Sequence, residues 1–228
     1  MIITIDGPIA TGKSTIAKAL AKEIGYIYFD TGAMYRCLTY GIIKNKINFQ
    51  DTALLKKYLD TFHFDIKMRI GEKHYIVENE DVTDKIRLEL VTSQVSQISA
   101  IKEVREKLVL LQKELALGVN AVFEGRDMGS VVFPEAQIKI FLSGKPDIRA
   151  KRRFDELRKN YPAETKLLTL EQVLKDITQR DEYDMNREIS PLRQAKDAYV
   201  IDTSDLSISD IVIKILEYKD TIKTRRPV

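Results

Sequence analysis

Ten residues near the start of the chain, Asp6-Gly-Pro-Ile-Ala-Thr-Gly-Lys-Ser-Thr15, constrain its fold more than any other stretch. They follow the apolar, β-branched run "MIITI" and precede Ile16, Ala17, Leu20, Ala21 and Ile24, which recur at helical spacing. Strand, glycine loop and helix therefore come in that order. Within the loop, Gly7, Pro8, Ile9, Ala10, Thr11, Gly12, Lys13 and Ser14 satisfy G-x-x-x-x-G-K-[ST] in the context that motif requires. Glycines reach backbone angles closed to other residues, so consecutive N–H groups can turn inward around an anion at the positive end of the new helix. Lys13 adds a full charge for β- and γ-phosphates, and the Ser14 hydroxyl is suited to Mg²⁺. The stretch Gly7 to Thr15 thus predicts a nucleoside triphosphate site; an accidental glycine turn with an exposed lysine is the alternative. The loop alone does not say which reaction follows.

The rest of the chain continues the alternation. "YIYFDTG" reads as a strand and "GAMYRCLTYGIIKNK" as its helix, and "VNAVFEGRD", "QIKIFLSG" and "AYVIDTS" are further apolar runs bounded by polar or turn residues. Near-continuous apolar strands belong to a parallel sheet covered on both faces. The prediction is an α/β fold of the P-loop NTPase type, with a doubly wound five-stranded parallel sheet and a last helix from about Ser207. Two segments break the rhythm. From His63 to Val82, Phe64, Ile66, Met68 and Ile70 alternate with mostly polar residues and "GEK" supplies a turn, which predicts an inserted antiparallel hairpin. From 146 to 190 the chain carries charge-loaded helical stretches; between Lys139 and Lys159 eight Lys or Arg face three Asp or Glu. A solvated helix is the plain explanation of such a run.

Charge balance excludes little but directs attention to sites. The 228 residues carry a net charge of +3, so no global field calls for nucleic acid or an anionic membrane. No apolar run approaches the roughly 20 residues of a membrane helix, and no leader pattern is read at the N-terminus. Cytoplasmic location, no membrane or nucleic-acid partner, and a monomer are the expectations. Cys37 reads as a packed residue, His63 and His74 as surface histidines outside any metal pattern, and Tyr26 and Tyr28 as ordinary strand aromatics. At the carboxyl edge of the sheet, where open α/β folds bind ligands, "DTGAMYR" brings Thr31, Tyr35 and Arg36, and "EGRD" brings Glu124, Arg126 and Asp127. "RDEYDMNR" sets Arg180, Asp184 and Arg187 on one helix face, as a ligand site or as an intrahelical ion-pair ladder.

Taken together, "ITIDGPIATGKST", "DTGAMYR", "EGRDMGSVVFPEAQIKIFL", "RDEYDMNR" with "SPL" after it, and "AYVIDTS" make nearly the whole chain resemble the bacterial-type cytidylate kinases. The resemblance implies a core at 1–36, 85–145 and 191–220, a monophosphate-binding region at 37–84 whose β insert spans about 62–84, a mobile lid at 146–190, and a flexible tail at 221–228. It implies transfer of the γ-phosphoryl group of ATP to CMP, and to dCMP, with Mg²⁺ and no general base. Thr31, Arg105 and Asp127 would face cytosine, Ser96 the sugar, and Arg36 and Arg126 the acceptor phosphate, with Tyr35 and Glu124 nearby. Arg180, Asp184 and Arg187 would meet ribose and phosphates as the lid closes, and Lys13, Arg126, Arg180 and Arg187 would be catalytic. From the basic helix with Arg149, Arg152 and Arg153, Arg152 is assigned to ATP.

The chain departs from its relatives in places. Glu124 stands where many have Asp, Tyr183 and Met185 where arginines are frequent, and Thr11 where Ala is common. Two rival readings share the phosphate loop. A kinase with an alcohol acceptor, of the shikimate type, would need a carboxylate base, for which Asp30 is available, but lacks the β insert. A nucleotide-driven switch would need an apolar docking face and a water-positioning residue.

Overall fold

The computed structural model describes residues 1–224 except 70 and 164. Along the chain run β1 (Ile2–Asp6), α1 (Lys13–Ile24), β2 (Ile27–Asp30), α2 (Thr31–Lys44), α3 (Thr52–Thr61), β3 (Phe64–Arg69), β4 (Glu72–Val77), β5 (Glu80–Asp81), α4 (Glu89–Ile98), α5 (Lys102–Leu115), β6 (Ala121–Gly125), β7 (Ile138–Ser143), α6 (Pro146–Asn160), α7 (Leu170–Asn186), β8 (Tyr199–Asp202) and α8 (Ile208–Thr224). They form two compact units, Met1–Phe29 with the segment from Ala116 onward, and Asp30–Leu115.

The first unit holds the five-stranded sheet, in the order β2-β6-β1-β7-β8. Central β1 runs parallel to both neighbours, with Ile3 opposite Val122 on one side and Ile138 on the other, and β7 runs parallel to β8. Ile3, Thr4 and Ile5 are 0% exposed, so the strand is covered on both faces and not on one alone. Ile16, Ala17, Leu20 and Ala21 of α1 and Ile211, Val212 and Ile215 of α8 join the strand residues in one core. Each fully buried aliphatic chain there contributes roughly 1.5–3 kcal/mol. The charged stretches of 146–190 are helices α6 and α7, and Thr169 with Gln172 closes a capping box at the start of α7. Of the predicted tail, 221–224 complete α8, and 225–228 lie outside the described residues.

In the second unit, α2 begins where the Asp30 carboxylate accepts the Ala33 N–H at 2.9 Å. Cys37, Leu38 and Ile42 of α2 pack with Leu55 and Leu59 of α3, Val95 of α4 and Val104 and Leu108 of α5. Burial pushes the Cys37 thiol up, so it is an inert core residue, as its apolar context suggested. The predicted hairpin is present: β3 and β4 pair antiparallel with Ile66 opposite Tyr75, and β5 adds a third strand. Its apolar alternation overstates its burial. Phe64 and Ile66 pack on the core, but Met68, nearer the turn, is 61% exposed.

The hairpin carries a charge cluster with a definite pH signature. Lys85 and Lys44 hold Glu80 down to about 2, and Thr83 and His74 hold Asp81 down to about 2. Carboxyl groups depressed in the folded state add stability above their unfolded values, 4.5 and 3.8, and lose it as pH falls through about 2. The double variant E80Q/D81N is therefore expected to melt below the parent at near-neutral pH, with the gap closing below about pH 4. A gap that stays constant with pH would show that these contacts act sterically.

Candidate active site

The phosphate loop is shaped by three residues with positive φ: Gly7 at 149°, Ala10 at 60° and Gly12 at 86°. At Gly7 a β-carbon would stand 2.2 Å from the Leu142 carbonyl oxygen, so the loop passes β7 too closely for any side chain. Ala10 occupies the left-handed region with a β-carbon, at a cost of about 1–2 kcal/mol. The Pro8 carbonyl accepts from the Thr11 hydroxyl at 3.0 Å and from the Lys13 ammonium at 2.6 Å. Lys13 is 6% exposed, and burial followed by the charge of Arg126 lowers its pKa, against the pull of Glu124, Asp181 and Asp184. An ammonium held dry and only partly neutralised is poised for an anion.

Ser14 opens outward from the first turn of α1, and Thr15 beside it is also exposed. The Ser14 hydroxyl donates to Glu124 Oε1 at 2.6 Å, and the Tyr28 hydroxyl reaches the same oxygen at 3.4 Å. Hydroxyl and carboxylate oxygens are the donors Mg²⁺ takes. Among the described residues no group of three or more His, Cys, Asp or Glu is placed to hold a metal. One hydroxyl and one carboxylate suit an ion that keeps most of its sites for phosphates and water.

Behind Glu124, the turn after β6 is organised by Asp6. Its carboxylate accepts the N–H groups of Met128 at 2.8 Å and Gly129 at 2.7 Å. Burial raises the Asp6 pKa to about 7, with the two N–H bonds opposing it. The turn sets Arg126 and the buried Asp127, 2% exposed, side by side in sequence. Arg126 Nε donates to Asp184 Oδ2 at 2.9 Å, and the same oxygen lies 3.7 Å from Arg180 Nε; Arg187 Nη1 is 3.8 Å from the other oxygen. Three guanidiniums thus surround one carboxylate that is 1% exposed as a residue. Burial works to raise the Asp184 pKa, but the three positive charges outweigh it and the carboxyl is held below its usual range. Arg180 is lowered, chiefly by burial and then by Arg126 and Arg187, despite the Asp184 charge that opposes the shift. The intrahelical ladder read from "RDEYDMNR" is therefore only part of the contact set, since Arg126 enters from the sheet.

Arg152 donates to the carbonyl oxygens of Thr203 at 2.6 Å and Ser204 at 3.3 Å, just beyond β8. Tyr183 and Met185 are 42% and 48% exposed. Sequence reasoning overlooked Asp6 and Asp181, and it read Tyr28 only as a strand aromatic. Asp181 Oδ1 accepts the Ile9 N–H of the phosphate loop at 3.0 Å. Adjacency to the glycine loop and to Arg180 was the available signal.

In the second unit, Thr31 (2% exposed) opens α2, and the Tyr35 ring lies 5.3 Å below the Arg105 guanidinium. Arg105 is 3% exposed and donates to the Ser99 carbonyl at 3.1 Å. Arg36 donates to the Thr92 hydroxyl at 2.8 Å and the Ile86 carbonyl at 3.2 Å. Ser96, on α4, is half-buried.

The sequence profile described as cytidylate kinase matches residues 3–221. The chain belongs to the cytidylate kinase family. A protein named cytidylate kinase from Protochlamydia amoebophila is 67% identical over 227 residues, covering 100% of both chains. Another so named, from Halalkalibacterium halodurans, is 44% identical over 219 residues and 96% of each. Membership makes this chain a kinase, a phosphotransferase. Among solved structures, a shikimate kinase from Bacteroides thetaiotaomicron superposes with a TM-score of 0.52 at 14% identity, over 96% of this chain and 98% of that one. At that identity the likeness speaks for the fold alone, the P-loop kinase arrangement of sheet and helices.

Proposed function

We propose that the protein transfers the γ-phosphoryl group of ATP to CMP, and to dCMP, in pyrimidine nucleotide metabolism. The observation that carries this reading is the set of three guanidiniums, Arg126, Arg180 and Arg187, around the single carboxylate of Asp184, with Lys13 in the same field. That excess of buried positive charge is suited to bringing two anionic nucleotides together. Family membership supports the substrate pair.

In this reading Gly7–Thr15 cradle ATP, and Lys13 meets its β- and γ-phosphates. Ser14 and Glu124 would hold Mg²⁺, which would supply positive charge against the negative charge that develops on the phosphates. Arg36 and Arg126 hold the acceptor phosphate, since a guanidinium fork matches phosphate geometry. A phosphate monoester has its second pKa near 6, so the attacking oxygen is already anionic near neutral pH and no side chain need remove a proton. Catalysis then consists of alignment and charge stabilisation by Lys13, Arg126, Arg180 and Arg187. Asp127 accepts from the exocyclic amino group of cytosine; the corresponding oxygen of uracil has no proton to give and would be repelled. Thr31 and Arg105 complete the base site, Ser96 that of the sugar, and Arg152 steadies the turn beside ATP. Tyr35 supports Arg105 through its ring. Helices α6 and α7 form the lid that keeps water from the phosphoryl group.

The test is an acceptor panel. ADP is to be measured with ATP, Mg²⁺ and, in turn, CMP, dCMP, UMP, AMP, shikimate or no acceptor. Production with CMP and dCMP far above the other conditions is expected. Equal turnover of UMP would remove the role of Asp127, and turnover with shikimate would favour an alcohol kinase.

A further inference from the structure

One buried ion pair is not used by the mechanism above. Asp181 on α7 and Arg149 on α6 are each 5% exposed, and Arg149 Nη1 donates to Asp181 Oδ2 at 2.5 Å. The other Asp181 oxygen accepts the Ile9 N–H at 3.0 Å, while the same Arg149 nitrogen donates to the Ile9 carbonyl at 3.0 Å. Both backbone groups of Ile9 are thereby held in one closed ring of hydrogen bonds, and Arg149 Nε fixes the ring to the end of β7 through the Gly144 carbonyl at 2.9 Å. The residue after Ile9 is Ala10, at φ 60°, which an unrestrained loop would relax. Three residues after Asp181 on the same helix comes Asp184, with Arg126, Arg180 and Arg187 around it.

We propose that Asp181, with Arg149, is a positioning residue that ties the conformation of the phosphate loop to the placement of α7, so that CMP engaging α7 strengthens ATP binding. This rests on the acceptor role given above to Arg180, Asp184 and Arg187. Because α7 is a rigid element touching both groups of residues, a shift of one turn cannot leave the other unmoved, which is the physical requirement for coupling. By linkage, ATP strengthens CMP binding by the same factor.

The measurement is calorimetric titration of a non-hydrolysable ATP analogue, with Mg²⁺, in the absence and presence of saturating CMP. The parent protein is expected to bind the analogue at least about fivefold more tightly with CMP, within the usual span of such couplings. In D181N, which keeps an acceptor for the Ile9 N–H but loses the ion pair, that ratio is expected to fall to within about twofold of unity, while affinity for CMP alone changes little. Removing one buried partner can unfold a protein, whereas exchanging the pair for apolar residues of similar size is commonly tolerated. The double variant R149M/D181L therefore repeats the test with no stranded charge, and the same collapse is expected. A ratio of one in the parent, or one that persists in both variants, would overturn the inference. R180M separates the layers. If it weakens CMP binding yet the ratio survives in the Asp181 variants, only the coupling is wrong; if CMP binding is indifferent to R180M, the acceptor reading falls, and the coupling with it.

Discussion

Lys13→Met is expected to lower kcat by about 10²- to 10³-fold, the typical effect of removing one preorganised charge or donor from a transition state, while the melting temperature stays within a few degrees of the parent. The two halves of that expectation come from one fact. Lys13 is buried beside Arg126, so its charge is a burden on the folded state, and among the described residues its ammonium donates to the Pro8 carbonyl. Methionine fills similar volume without the desolvation cost, and the lost hydrogen bond accounts for only about 1 kcal/mol. Activity and stability should thus separate. Steady-state kinetics with saturating CMP and a thermal melt of the same sample make the check. A large fall in melting temperature would mean that the ammonium braces the loop rather than waits for phosphate.

Asp184→Ala should be the most destabilising single change within the site. It leaves three guanidiniums facing one another in largely dry surroundings, and breaking a buried pair commonly costs 3–5 kcal/mol. For a chain of this size that corresponds to a fall of roughly 6–20 °C in melting temperature. Inorganic phosphate should recover part of the loss, because an anion bound only by the folded state restores the missing counter-charge. The parent, whose carboxylate already occupies the centre, should gain less. The stabilisation from Asp184 is present above the ordinary carboxyl value of 3.8 and is lost as pH falls below it, because its folded pKa is depressed. A variant that melts with the parent, and is indifferent to phosphate, would show the arginines to be solvated and independent.

What the amino-acid sequence disclosed here follows the range of the forces involved. The phosphate loop was legible because its demands are local: left-handed backbone at Gly7 and Gly12, a lysine at the first helical position, and a strand that is apolar on both faces. Arg180 and Asp184 were legible for the same reason, being one turn apart on α7, whereas Arg187, expected on the same helix face, stands just past the helix end at its C-cap. Nothing local announces that Arg126 enters the same cluster from 58 residues away in sequence, or that Asp181 reaches back 172 residues to the Ile9 N–H. Arg152, which the family resemblance assigns to ATP, has its fork on the carbonyl groups of Thr203 and Ser204 in this structure, a contact that no local spacing announces. The hairpin shows a different limit, since period-two alternation marks a strand but does not say how far along its length another element will cover it.

The central claim is that a buried cationic cluster joins two anionic nucleotides and passes a phosphoryl group directly between them. ³¹P NMR of the protein with ATP, Mg²⁺ and CMP follows that transfer atom by atom. The account predicts that the ATP γ resonance disappears only when CMP is present, with CDP and ADP signals growing in equal amounts. Inorganic phosphate appearing in place of CDP, at a rate indifferent to CMP, would contradict it.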